Sequence, residues 1–489
     1  MLALGLASCA RSNAQPPTLS APSPSLGFGR VLIVSGGPDA RNNQYAIESN
    51  ARYLASLTRG AKWRRILFAD GQGRSKTISV LLDTPRTRAR MVASWILDLP
   101  SPDETTSLKA PTLAPLAGPS TPSSIVHSLR EFALGGNPAN ARELVYFTGH
   151  GSPGTDSRGD DDYANTIYAG WKGDFSTREL ARALQSSPSK APIVLVMVQC
   201  HSGGFANTLF QNGDPKRPVW NRDFCGFFAS TAERPAAGCT SQVNERDYQD
   251  FTTYFFAALS GVSRDGREVT GADYNRDGRV SLSEAFAYAE LHDDSVDVPV
   301  STSDAFLRHV FPAHDIEWQR SFAPILEDAA PWQRAVLDGL SSRLNLRGDA
   351  RLQNAQTRLE ALGGAKAASR FELPEGVNSR RFNDAYGRLQ NGLKARFPRF
   401  ANLKGADRTG AIQSATDFLS TQTDDLKVVY DAYQKSVNED KSEVEEALLL
   451  RFLRCARTIV LEERLEREGT PAQKAVFARL RKSEERSGF

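Results

Sequence analysis

Short, uninterrupted apolar runs recur along the first half of the chain, and each is followed by glycine or by polar residues. Apolar runs without alternating polar positions are typical of strands that are buried on both faces of a parallel sheet. The predicted strands are Val31–Ser35, Arg65–Ala69, Leu144–Thr148, Ile193–Val198 and Gly226–Ser230.

Amphipathic stretches lie between these runs and predict helices. The clearest are Gln44–Leu57, Ser124–Leu134 and Ser176–Gln185. Strands that alternate with helices favour an α/β fold, a sheet with helices on both faces. The stretch from Ser101 to Ser124 is rich in Pro, Ser and Thr and predicts a long surface loop.

Beyond about Ala313 the strand pattern ends and charged amphipathic helices follow. The strongest runs from Ser442 to Glu468, where Ser442 and Glu445 form a capping-box pattern before an apolar stripe. We therefore predict an N-terminal segment 1–28, an α/β domain 29–313 and a mainly α-helical C-terminal domain 314–489.

Composition excludes some functions without identifying one. Hydrophobic residues make up 40% of the 489 positions and charged residues 24%, which is typical of a soluble globular protein. The net charge is +3, and no basic stripe interleaved with aromatic residues indicates a nucleic-acid surface.

The cysteines suggest a compartment. Leu6-Ala7-Ser8-Cys9, followed by a Pro/Ser-rich stretch, resembles a bacterial lipoprotein signal, although the run is short and lacks a basic start. It predicts an exported, periplasmic or cell-envelope lipoprotein tethered to the membrane through lipidated Cys9; a disordered N-terminus is the alternative. Cys225 and Cys239 would pair in an oxidising compartment or remain separate buried thiols, and Cys455 fits a helical core position.

Two predicted strands end in residues that carry chemistry. One is followed by His150 and Gly151, and another by Cys200. Sites in open α/β sheets form outside the carboxyl ends of strands, so the two side chains would face each other if their strands are neighbours. A thiol needs a nearby imidazole to act as a nucleophile, and the imidazole can then protonate a leaving amine. The backbone N–H groups of Gly151 and Cys200 are candidate donors to an oxyanion.

The segments YFTGHGSPG (146–154) and VLVMVQCHSGG (194–204) resemble the signature segments of the caspase-like cysteine peptidases. This group includes legumain, the catalytic subunit of GPI transamidase, gingipains, caspases and metacaspases. The resemblance covers roughly residues 29–313 and implies a Cys200–His150 dyad that hydrolyses peptide or protein substrates. By the likeness of VLIVSGG (31–37) and the loop after it to legumain, Asn42 would orient the histidine; alternatively, it only shapes a turn before the next helix.

The resemblance is weaker at the substrate pocket. Metacaspases carry an acidic residue two positions before the cysteine, where this chain has Val198. Ser230 and Thr231 resemble the residues that line the family's pocket, and Asp247 is a candidate for selecting a basic side chain. Substrate specificity therefore stays open.

Residues 273–284 match the twelve-residue EF-hand loop, with glycine at the sixth position. The pattern predicts a structural Ca²⁺ site, and no organic cofactor is implied. The predicted ligands are Asp273, Asn275, Asp277, the carbonyl of Arg279, Ser281 and Glu284. The alternative is an acidic turn that binds no ion.

These features together predict a cysteine endopeptidase that acts through an acyl-enzyme. Two alternatives remain. The same dyad would support transamidation if an amine replaced water as the acceptor, and the fold would also serve as a non-catalytic calcium-binding envelope scaffold.

Overall fold

A computed structural model describes residues 25–82, 87–97, 105–134, 142–312, 319–366, 379–398, 405–437 and 439–488. The predicted lipidation site, Cys9, lies outside these residues, as does Ala313. None of the helices within these ranges is both long enough and apolar enough to cross a membrane.

The described chain contains ten strands. They are β1 (Phe28–Gly36), β2 (Trp63–Phe68), β3 (Ile78–Leu81), β4 (Thr106–Lys109), β5 (Arg142–Thr155), β6 (Asp161–Gly170), β7 (Gly173–Ser176), β8 (Ile193–Met197), β9 (Phe224–Phe228) and β10 (Val300–Ser301). The main sheet has the order β10-β9-β8-β5-β1-β2, and all its neighbours are parallel except β10 and β9.

Fifteen α-helices lie within the same ranges. They are α1 (Tyr45–Leu57), α2 (Arg88–Leu97), α3 (Pro122–Leu134), α4 (Thr177–Gln185), α5 (Phe251–Ser260), α6 (Leu282–His292), α7 (Thr302–Val310), α8 (Phe322–Asp328), α9 (Pro331–Arg343), α10 (Arg351–Lys366), α11 (Ser379–Arg396), α12 (Gly405–Ser420), α13 (Thr423–Val437), α14 (Glu439–Glu468) and α15 (Pro471–Glu484). The α/β prediction and the helical character of the C-terminal region are confirmed.

Alternate side chains of the central strands enter two different cores, which explains the uninterrupted apolar runs. In β1, Val31 and Ile33 pack in the core beneath α1, α5 and α6, whereas Leu32 and Val34 pack in the core beneath α3, α4 and α7. All four side chains are fully buried. A strand that is covered on both faces does not have to alternate apolar and polar residues.

The prediction of a loop from Ser101 to Ser124 is wrong in part. Residues 106–109 form β4, which pairs with β3 in a small antiparallel sheet, and α3 already begins at Pro122. A four-residue strand whose side chains are at most half-buried gives too short a pattern to be recognised in the sequence.

The C-terminal helices form two packing groups. One joins α8, α9, α10 and α14 to α6 of the α/β region. The other joins α11, α12 and α13 to α2, through buried residues such as Val92, Leu389, Leu419 and Val429. Both groups therefore contain a helix from the predicted α/β domain.

The last helix and the tail after it are part of the α/β core. Leu480 is buried in the core formed by one face of the sheet. Glu484 is also buried and accepts hydrogen bonds from Thr302 and Ser303 at the start of α7. Ser487 forms an antiparallel bridge with Ser281, within the predicted calcium loop. Residues on both sides of the predicted boundary near residue 313 thus share one core.

Arg451 of α14 forms the most deeply buried of these cross-boundary contacts. Its side chain is fully buried and donates four hydrogen bonds to the backbone carbonyl groups of residues 290, 293, 295 and 297. It also lies 3.7 Å from the carboxylate of Asp293. Burial raises the pKa of Asp293 to about 6, and the positive charge of Arg451 opposes that rise.

We predict that Arg451→Met lowers the free energy of unfolding by about 3–5 kcal/mol, because it leaves buried carbonyl groups and a carboxylate without their partner. Chemical denaturation followed by circular dichroism measures this. Arg467→Met, on an exposed part of the same helix, is the matched control and should change stability by less than about 1 kcal/mol. Equal effects of the two variants on the free energy of unfolding would contradict the conclusion that the buried contacts of Arg451 stabilise the fold.

Candidate functional site

Strands β5 and β8 are parallel neighbours, and their register brings the two predicted catalytic residues to the same level. Phe147 pairs with Met197, and His150 and Cys200 each follow three residues later. Both residues therefore lie at the carboxyl edge of the sheet, on adjacent strands. This is the position where sites form in open parallel sheets.

His150 is held by the loop that follows β1. Its Nε2 lies 2.8 Å from Oε1 of Gln44, and the ring also bonds to the backbone of Asn42. Burial lowers the pKa of His150, and this hydrogen bond, together with the negative charge of Asp39, opposes the effect. The imidazole is therefore neutral at neutral pH.

The structure places Asn42 beside the histidine but gives its side chain a different role from the predicted one. The Asn42 amide donates to the carboxylate of Asp39 at 2.8 Å, which closes the turn, so the contact with His150 comes from the backbone. Gly37 permits this turn, because a Cβ atom there would lie 1.8 Å from the Asn42 carbonyl oxygen. Gln44, which the sequence analysis did not select, supplies the side-chain contact.

Cys200 is half-buried, and its Sγ accepts a hydrogen bond from the N–H of Ala236 at 3.3 Å. Burial raises the pKa of the Cys200 thiol, the Ala236 N–H opposes this, and the charge of Asp297 adds to the rise. Among the described residues, no hydrogen bond joins Sγ to the His150 ring. Both pKa shifts favour the uncharged forms, the thiol of Cys200 and the neutral imidazole of His150.

Gly151 allows the β5–β6 hairpin to approach the nucleophile. A Cβ atom on residue 151 would lie 2.2 Å from the carbonyl oxygen of Cys200 and 2.7 Å from Cγ of Gln199. A larger residue would therefore force these segments apart. The role of the Gly151 N–H as an oxyanion donor stays a prediction.

The predicted pocket residues are used mainly within the protein. Ser230 is fully buried, donates its N–H to the Ser202 hydroxyl and donates its own hydroxyl to the carbonyl of Pro235. Thr231 is also buried. Asp247 lies in a short 3-10 turn and accepts from Asn244; in the described ranges no hydrogen bond or ion pair links it to Cys200 or His150.

Residues 234–241, which we call the crossing segment, run over the carboxyl edge of the sheet. After β9 the segment contacts Cys200 through Ala236. The thiol of Cys239 then lies 3.4 Å from the carbonyl of Gly149 in β5, and the Thr240 carbonyl accepts from Ala46 of α1. The segment therefore contacts Cys200 after β8, Gly149 of β5 and the start of α1.

Two contacts from other parts of the chain hold the crossing segment. The guanidinium of Arg234 lies 2.6 Å from the carboxylate of Glu446 in α14. The Ala237 N–H donates to the buried carboxylate of Asp297 at 2.6 Å. Pro235 and Gly238 predict a loop here, but its path depends on partners far away in sequence. Sequence reasoning therefore missed this part of the site.

The four described cysteines are all free thiols, so Cys225 and Cys239 do not pair. Cys225 is buried against the carbonyl of Ser483, whereas Cys239 contacts Gly149 at the sheet edge. Cys455 is buried within the helical core, as the sequence pattern predicts.

The EF-hand-like loop connects α5 to α6 and is closed by its own carboxylates. Asp273 accepts from the backbone N–H groups of Asp277 and Gly278, and Glu284 accepts from those of Asn275 and Ser281. Gly278 has φ +83°, the left-handed conformation required for the sharp turn. The Arg279 N–H donates to Asp277.

Within the described ranges, no group of three or more His, Cys, Asp or Glu side chains is placed to hold a metal ion. The predicted ligand set of the loop also contains an asparagine, a hydroxyl and a backbone carbonyl.

Comparison with known proteins gives little further information. No protein-family model matches the chain, and no curated protein matches it. One solved structure with partial similarity is that of protein GSU0716 from Geobacter sulfurreducens, at 11% identity and a TM-score of 0.31. The match covers 56% of this chain and 92% of that one, and a similarity at this level supports no functional argument.

The neutral resting state predicts how Cys200 reacts with a small alkylating reagent. Because burial raises its pKa above the ordinary 9.0, the rate of alkylation by iodoacetamide should still increase at about pH 9. Mass spectrometry of the Cys200 peptide over time measures this rate. A plateau reached by about pH 7 would instead indicate a preformed thiolate–imidazolium pair.

Proposed function

We propose that this protein is a cysteine endopeptidase of the caspase-like type, with Cys200 as nucleophile and His150 as general base and acid. The observation that carries the proposal is the register of β5 and β8, which places the two residues at equal distance beyond Phe147 and Met197 on adjacent parallel strands. The resemblance of both strand-end segments to that group of peptidases supports the same assignment.

In the proposed reaction, a peptide carbonyl binds beside Cys200 in place of the Ala236 contact. His150 accepts the thiol proton as sulfur attacks the carbonyl carbon, and the N–H groups of Gly151 and Cys200 stabilise the oxyanion. The intermediate collapses and expels an amine that takes the proton from His150. Water, deprotonated by His150, then hydrolyses the acyl-enzyme.

The neutral charge states favour general-base catalysis over a preformed ion pair. A neutral imidazole can accept the thiol proton during attack, and the Asn42 and Gln44 contacts keep the ring oriented. Gln44 and the Asn42 backbone therefore act as positioning groups.

The test is cleavage of a peptide library, together with labelling by peptidyl acyloxymethyl ketones of differing sequence. We expect Cys200→Ala to abolish both signals and His150→Ala to lower kcat/KM by about 10²–10⁴-fold. His127→Ala changes an exposed histidine on α3 and is the matched control, with activity expected to be unchanged.

Two outcomes would favour the alternatives. Amine adducts of the released acyl group, formed in preference to hydrolysis when an amine is added, would indicate transamidation. Failure of every peptide and every ketone to react at Cys200 would favour the non-catalytic scaffold.

We also propose that loop 273–284 binds Ca²⁺. Its oxygen-bearing side chains occupy the first, third, fifth, ninth and twelfth positions, and Gly278 makes the required turn. Only three of the ligand side chains are carboxylates, so we expect a dissociation constant on the order of 10⁻⁴–10⁻³ M.

Calorimetric titration with Ca²⁺ tests this prediction. Glu284→Gln removes the carboxylate at the twelfth position and should weaken binding at least about tenfold, whereas Asp265→Asn, in a neighbouring acidic turn, should not. No heat of binding and no shift in Tm at about 10 mM Ca²⁺ would contradict the proposal.

A further inference from the structure

Cys200 and Cys239 both lie against the second half of β5. Cys239 Sγ is 3.4 Å from the carbonyl oxygen of Gly149. Two residues further along the strand, the backbone of Gly151 packs directly against that of Cys200. Two residues of extended chain span about 7 Å, so the contact points of the two cysteines on β5 lie about that far apart.

The crossing segment links the two thiols in a second way. Ala236 donates its N–H to Cys200 Sγ, and Cys239 follows only three residues later on the same loop. Burial is the main cause that raises the pKa of Cys239, and the charge of Cys200 adds to that rise. A small shift of this loop would be enough to change their separation.

These two cysteines also differ from the others in accessibility. Cys200 and Cys239 are half-buried, whereas Cys225 and Cys455 are buried in cores. Cys200 is therefore more accessible to a small oxidant than Cys225 or Cys455. Of the four described cysteines, Cys200 and Cys239 are the two that contact the same loop or strand segment at this edge.

We propose that Cys239 is a resolving cysteine, which converts peroxide-oxidised Cys200 into a reversible Cys200–Cys239 disulfide. The claim that this disulfide would switch activity off rests on the proposed peptidase function. The formation of the disulfide does not depend on that function. The bond would remove the nucleophile and fix the crossing segment over the sheet edge.

The chemistry balances with hydrogen peroxide as the oxidant. The Cys200 sulfur attacks one peroxide oxygen, the O–O bond breaks, and sulfenic acid and water form. The Cys239 sulfur then attacks the sulfenic sulfur, the S–O bond breaks, and the hydroxyl leaves as water with the thiol proton. A dithiol restores both thiols by exchange.

The experiment treats the full chain with hydrogen peroxide and maps its peptides by mass spectrometry without reduction. We expect a linked peptide that contains Cys200 and Cys239, with loss of two hydrogen atoms, and its disappearance after dithiothreitol. In Cys239→Ser, Cys200 should instead proceed to sulfinic acid, so that dithiothreitol restores reduced Cys200 at least about fivefold less than in the unchanged chain. Cys225→Ser is the matched control and should behave as the unchanged chain.

Mass spectrometry detects the linked peptide whether or not the protein has peptidase activity. If it forms while the protein cleaves nothing, the disulfide stands and the proposed function fails. If the protein cleaves peptides but oxidised Cys200 is recovered equally with Ser or Cys at 239 and no linked peptide forms, the inference is overturned. The peptide mapping of the unchanged chain decides the matter even if Cys239→Ser does not fold.

Discussion

Parallel backbone pairing between β5 and β8 is the constraint on which the site depends. The pairing fixes the heights of the two strand ends relative to each other, so residues at equal distances beyond Phe147 and Met197 reach the same level. The apolar cores on both faces of the sheet keep the two strands in register, and the chemistry of the edge follows from that packing.

The helical region contributes to the site through charge as well as through packing. Arg451 holds the loop at residues 290–297 by its backbone carbonyl groups, and Asp297 of that loop holds Ala237 beside Cys200. Glu446, five residues before Arg451, binds Arg234, the first residue of the crossing segment. One helix, α14, therefore supports the loop above the nucleophile at two points.

The sequence was informative where structure is determined locally. Uninterrupted apolar runs identified the main strands, and the EF-hand-like loop was recognisable because its side chains bond to backbone groups only a few residues away. The crossing segment was not predictable, since its path depends on Glu446 and Asp297, which are distant in sequence. Asn42 shows a third case: its position beside His150 was expected, but whether its side chain or its backbone makes the contact depends on the turn closed by Asp39.

The burial of Arg451 determines when its contacts can form during synthesis of the chain. Its partner carbonyl at Asp297 precedes it by 154 positions, so a ribosome working at about 5–20 residues per second needs on the order of ten seconds between them. Throughout that interval, the loop at residues 290–297 lacks the guanidinium of Arg451. The contacts that hold Ala237 beside Cys200 are thereby completed only after translation has passed α14, and a shorter nascent polypeptide would lack the cation that fixes residues 290–297.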